Sequence, residues 1–108
     1  MAVFHWKIQR ISAILLVPIV IYVTLYLLKI GNLSYANVTN DISSFPGILV
    51  ISFMALVLFV HSSLGIETIL EDYIHDVKTQ GLLVSFSKFI HVILFLITLI
   101  SLVIIKGN

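Results

Sequence analysis

From Ile42 to Ile66 the chain runs for 25 residues without an Asp, Glu, Lys or Arg, and inside that run sits one imidazole, His61. As a helix rising about 1.5 Å per residue, such a stretch is long enough to cross about 30 Å of hydrocarbon. Lipid offers no water to the backbone, so a spanning segment must satisfy its own N–H and C=O groups, which means helix. An ionisable group at that depth is costly to desolvate and marks a functional-site candidate. The plainer reading of His61 is a neutral ring hydrogen-bonded to a neighbouring helix. Neutral imidazole is also a common metal ligand.

Two further segments are long and apolar enough to span. One runs from Ile11 to about Ile30, with Lys29 close enough to its end to snorkel. The other runs from Leu82 to Ile105, with Lys88 in its first two turns and His91 beyond it. The middle span begins at about Phe45 and continues past the lipid edge to about Tyr73. These limits predict an all-α membrane protein: a single anchor domain over 1–108, with three transmembrane helices at about 11–30, 45–73 and 82–105.

Composition agrees. The chain is 60% hydrophobic and 10% charged, with mean hydropathy +1.19, more apolar surface than a soluble domain of 108 residues can hide. A net charge of +1 leaves no basic footprint, so no nucleic-acid partner is expected. Absence of cysteine excludes disulfides, zinc knuckles and thiolate-held iron–sulfur clusters from this chain. Any metal must then be held by His or carboxylate, or belong to a partner.

The first segment has a competitor in a signal peptide, because Lys7 and Arg10 resemble a charged leader and Ser34-Tyr35-Ala36 a cleavage site. The uncharged run Ile11 to Leu28 exceeds the usual leader core of about 7–15 residues, so it reads as a retained anchor. Lys7, Arg10, Lys78 and Lys88 fall on one side of the membrane, and Lys29 and Lys106 on the other. That bias predicts the N-terminus inside and the C-terminus outside. No transit-like stretch precedes Met1-Ala2-Val3, which points to the inner membrane of a bacterium, or of a mitochondrion if the chain is organelle-encoded.

The head up to Arg10 reads as a short amphipathic segment, with His5 and Trp6 at the interface. Ser12 and Ala13 allow close helix approach, and Pro18 is expected to bend the first helix. Gly31 to Ser44 reads as a polar loop, whose two glycosylation sequons at Asn32 and Asn37 are taken as chance. Glu67 and Glu71 read as solvated interfacial carboxylates. Asp76 to Gln80 reads as an inner loop ended by Gly81, and Lys106-Gly107-Asn108 as a tail too short to fold.

At about 100° per residue, His61, Gly65, Thr68 and Asp72 share one stripe of the middle helix. Asp72 lies about 16 Å along the axis from His61, and Tyr73 is beside it. The stripe suits an electron path from the surface to mid-membrane. Imidazole can ligate haem iron, Gly65 lets a flat macrocycle approach, and a phenol beside a carboxylate can hydrogen-bond a quinone carbonyl and help supply protons. Small residues along a transmembrane face are more often plain helix packing.

His61-Ser62-Ser63-Leu64-Gly65 followed by Glu71-Asp72-Tyr73-Ile74-His75-Asp76 resembles the central signature of the small hydrophobic membrane anchors of succinate dehydrogenase (respiratory complex II), of the alphaproteobacterial and mitochondrial type. Trp6-Lys7-Ile8-Gln9-Arg10-Ile11-Ser12-Ala13 is similar to the Trp-x-x-Gln-Arg-x-(Ser/Thr)-Ala start of the first helix in those anchors. The resemblance spans about residues 5 to 76. It implies a complex in which a flavoprotein oxidises succinate, an iron–sulfur subunit carries electrons, and this chain and a cytochrome b membrane subunit reduce ubiquinone. It implies His61 as one axial ligand of haem b iron, with the cytochrome b subunit supplying the other. It implies Arg10 and His5 at the haem propionates, and Tyr73 with Asp72 at the quinone. Trp6, Glu71 and His75 match the pattern without an assigned chemistry. No catalytic residue and no stand-alone activity are expected of such a chain.

His91 and His61 each lie about nine residues from the inner end of their helix, so a haem held within this one chain is a geometric alternative, against which Lys88 counts one turn away. The plainer reading is that His91 hydrogen-bonds a helix neighbour. At the level of function, two alternatives stand beside the succinate dehydrogenase anchor. One is a fumarate reductase anchor; the other is a non-redox assembly or proton-relay subunit using His61.

Overall fold

The computed structural model describes residues 2–107, and among these it contains four α-helices and no strand. Helix α1 (Ala2–Lys29) passes through a single 3-10 turn at Ile30–Asn32 into a short helix α2 (Tyr35–Ser43). Helices α3 (Phe45–Tyr73) and α4 (Val77–Gly107) follow. Three segments are long and apolar enough to cross a membrane: Val3–Asn32, Phe45–Tyr73 and Val77–Gly107. They run up, down and up, with α3 in the middle packing against both α1 and α4. The expected all-α, three-span architecture is what the chain forms.

The ends of the spans differ from the sequence reading. The head before Ile11 is not a separate segment; α1 begins at Ala2 and includes His5, Trp6 and Arg10. Helix α4 begins at Val77, five residues before the expected Leu82, so the expected loop of Asp76 to Gly81 shrinks to Ile74–Asp76. Asp76 is the reason. Its carboxylate accepts from Thr79 N–H at 3.1 Å and from the Thr79 hydroxyl, and its carbonyl accepts from Gln80 N–H at 2.9 Å. A capped first turn lets the helix propagate through Lys78 and Gly81. At the other end α4 runs through Lys106 to Gly107, where a tail was expected.

The expected polar loop contains α2. Ser34 caps it by accepting from Asn37 N–H at 3.1 Å, and Ser44 caps α3 by accepting from Gly47 N–H at 3.1 Å. Gly47 is required at that corner, because a Cβ there would overlap the carbonyl of Asp41. Tyr26 donates to Asp41 at 3.1 Å, tying the top of α1 to α2. Pro18 lies inside α1, which continues through it. Membrane helices tolerate this because neighbouring groups re-satisfy the freed carbonyl.

Few side chains are buried within the chain itself. Ala55, Val57 and Leu102 are the buried apolar residues among those described, and Ser12 is the buried polar one at 5% exposure. Most of the large apolar residues face outward. A water-soluble protein with so little core would not hold together; in lipid those faces are solvated by acyl chains or covered by other subunits.

Candidate functional site

The geometry around His61 is set by the packing of α1 on α3. Ser12 Oγ is 2.9 Å from His61 Nδ1 and 2.9 Å from the carbonyl oxygen of Gln9. A hydroxyl has one proton, and a carbonyl can only accept, so Ser12 donates to Gln9 and accepts from His61. His61 therefore carries its proton on Nδ1. In the neutral ring that leaves the Nε2 lone pair uncommitted among the described residues, the arrangement of a histidine available to a metal.

His61 lines a groove of about 590 Å³ between α1 and α3, together with His5, Trp6, Gln9, Arg10 and Gly65. Thr68, Glu67 and Glu71 continue the same wall. Three of the expected site residues, His5, Arg10 and His61, are thus brought together. Arg10 stacks over the Trp6 ring at 5.2 Å, a cation–π contact that holds the guanidinium at the groove. At Gly65 an added Cβ would stand 3.3 Å from Gln9 Nε2, so the glycine keeps α1 and α3 close here. Two buried acceptors in the groove, Gln9 Oε1 and Glu67 Oε2, have no hydrogen-bond donor among the described residues.

Asp72 and Tyr73 lie outside this groove. They occupy the last turn of α3, both exposed, with Tyr73 at 79%. The groove reaches Glu71, one residue short of them. The stripe read from the sequence is therefore split: His61, Gly65 and Thr68 line the groove, while Asp72 carries the same face out to the helix end.

Glu67 corrects the sequence reading. Its side chain is only 12% exposed, and Oε2 lies 3.6 Å from Lys88 Nζ on α4, so it is a paired, largely buried carboxylate. Glu71 is exposed, as expected.

His91 takes the plainer of its two readings. Its Nδ1 lies 2.7 Å from the Ser87 carbonyl and must donate to it; its Nε2 lies 3.0 Å from Ser62 Oγ and so accepts that hydroxyl proton. Both ring nitrogens are engaged, and Phe59 packs edge-on at 6.3 Å. No lone pair is left for a ligand. Among the described residues no group of three or more His, Asp or Glu side chains gathers to hold a metal ion.

Sequence reasoning missed Ser12 and Glu67. Ser12 was readable only as a small residue; the signal for its role was its place three residues after Gln9, where a serine hydroxyl can reach back to the helix carbonyl.

Comparison with known proteins bears on the family of the chain. The family model described as "Succinate dehydrogenase/Fumarate reductase transmembrane subunit" matches residues 1–104. The "Succinate dehydrogenase membrane anchor subunit" of Reclinomonas americana is 34% identical over 80 residues, 70% of this chain and 66% of that protein. The chain thus spans 66% of that relative's length. No solved structure matches the chain. The match and the three apolar helices fit a multi-pass inner-membrane protein. With the family model covering nearly the whole chain, from the α1 head through all three spans, the chain belongs to the succinate dehydrogenase/fumarate reductase transmembrane subunit family.

Proposed function

We propose that the chain is the membrane-anchor subunit of a succinate:quinone oxidoreductase, giving His61 as one axial ligand to haem b and helping to bind ubiquinone. The observation behind this reading is the His61 tautomer: Nδ1–H is committed to Ser12 and Nε2 is free, in a groove that also holds Arg10 and His5.

The residues present fit the group. An imidazole with one free nitrogen supplies one ligand, and Gly65 leaves the groove wall without a Cβ. Arg10 supplies fixed positive charge for propionates, with His5 beside it. Haem, when bound, supplies a one-electron Fe(III)/Fe(II) couple in mid-membrane. The chain's own residues do the rest. Ser12 orients the ring, and Trp6 holds Arg10 at the groove. Both His91 nitrogens are engaged, so His91 would not hold the group, and the cytochrome b partner would supply the second ligand.

Tyr73 and Asp72 form the quinone end of this reading. Their exposure at the end of α3 suits a site completed by the iron–sulfur and cytochrome b subunits, with Tyr73 donating to a quinone carbonyl and Asp72 supplying protons. By this reading the α3 C-terminal end faces the cytoplasm or matrix, with the flavoprotein docked beyond it. Family membership favours this over a non-redox assembly or relay subunit.

Expression with and without the partner subunits tests the proposal. The chain alone is expected to bind no haem, and the co-expressed complex to show a b-type reduced-minus-oxidised spectrum. Haem-loaded chain on its own in detergent, or a complex lacking haem altogether, contradicts it.

A further inference from the structure

We infer that Ser12 is a positioning residue for His61: it fixes which ring nitrogen is free and, through that bond, tunes the iron that His61 would hold. The inference rests on the reading of His61 as a haem ligand and adds a residue to it.

Histidine ligands of metals usually donate their second ring N–H to an acceptor that sets ring orientation and raises ligand basicity. Here that acceptor is a hydroxyl on a different helix, 49 residues away in sequence. It is 5% exposed, so water does not compete for the bond. Its own proton is directed to the Gln9 carbonyl, 2.9 Å away on the same helix. The bonds therefore run in one direction, from His61 Nδ1–H to Ser12 and from Ser12 to Gln9. Such chains polarise one another in a low-dielectric interior. Without the hydroxyl, Nδ1–H loses this acceptor, and the ring loses the contact that selects its tautomer. A weaker donor stabilises Fe(III) less, so the haem potential moves in the positive direction.

The relation also explains the helix pairing. Ser12 is the most deeply buried polar residue among those described, and it sits where α1 crosses α3. A hydroxyl there costs desolvation unless paired. Its two partners account for it fully.

The test compares Ser12→Ala, Ser12→Thr and the parent in the assembled complex, read by haem retention and by haem redox titration. Ser12→Ala is expected to weaken haem retention by about 10- to 100-fold, as for other groups behind a metal ligand, and to shift the potential positive. Ser12→Thr keeps the hydroxyl and should restore both. If Ser12→Ala titrates and retains haem like the parent, or Ser12→Thr behaves like Ser12→Ala, the inference falls. A reading that does not depend on haem is 15N NMR of the histidine-labelled complex assembled without haem, with the His61 signal assigned by its loss in His61→Gln. The parent should show an Nδ1-protonated ring, and an Nε2-protonated ring overturns the inference even if Ser12→Ala fails to assemble. Failure of the haem reading itself is distinct: His61→Gln would then keep the full b-type signal.

Discussion

Glu67 and Lys88 meet across the seam between α3 and α4, with Oε2 and Nζ 3.6 Å apart and the Glu67 side chain 12% exposed. The pair lies between two grooves: Glu67 lines the His61 groove, and Lys88 lines an apolar one of about 390 Å³ with Phe59, His91 and Phe95. A buried carboxylate is tolerated because the ammonium stands opposite. Removing the cation leaves the charge unpaired, whereas removing both leaves little to compensate.

Lys88→Met is therefore expected to lower the stability of the assembled complex by about 1–3 kcal/mol, because a largely buried carboxylate loses its counter-charge. Adding Glu67→Gln should recover part of that loss. Thermal unfolding of the purified complex measures both, and a double variant less stable than Lys88→Met contradicts the pairing.

At the opposite end, Gly47→Ala places a Cβ on the Asp41 carbonyl, so the α2–α3 corner must open. Overpacking of this kind costs about 1–3 kcal/mol. Reduced yield of assembled complex and a lower Tm are expected, together with loss of the Tyr26–Asp41 bond that α2 holds in place.

Asp76 supplies a pH dependence. The Thr79 hydroxyl first, and the Thr79 backbone N–H second, hold its carboxyl below the usual carboxylate range. A depressed folded value means the cap's contribution is present above the unfolded pKa, about 3.9, and lost as pH falls through the lower folded value. Amide exchange at Thr79 and Gln80, corrected for its intrinsic pH dependence, should be constant above that range and rise below it. Asp76→Ala should abolish the change.

Tyr73→Phe should lower quinone reduction about 2- to 12-fold, the equivalent of one neutral hydrogen bond of about 0.5–1.5 kcal/mol. Haem content and succinate oxidation by soluble acceptors should be unaltered. Asp72→Asn should act similarly with a steeper pH dependence. Parental turnover in both variants would place the quinone elsewhere.

Much of this fold is legible in the sequence, because lipid imposes a simple rule: apolar runs of sufficient length become helices. The end of α3 at Tyr73 is legible too, since Ile74-His75-Asp76 breaks the pattern. The starts of α1 and α4 are not. Lys7, Gln9 and Lys78 mark the lipid edge by their polarity, but a helix is free to continue past that edge once capped. Helix α2 has the Ser34 cap in its sequence, yet its polar run resembles a loop in composition. For the site, residue type flagged His61, while Arg10 and His5 entered only through the resemblance of the α1 head to the family pattern. Ser12 and Glu67 took on their roles only through the rotation of α1 and α4 about α3, which sequence periodicity does not specify.

Ligation by His61 of a haem shared with another subunit is decided by one spectrum. The reduced-minus-oxidised difference of the assembled complex is recorded for the parent and for His61→Ala. A b-type signal is expected in the parent and should be lost in His61→Ala while the subunits still co-purify. A full signal in His61→Ala rules out the ligand role.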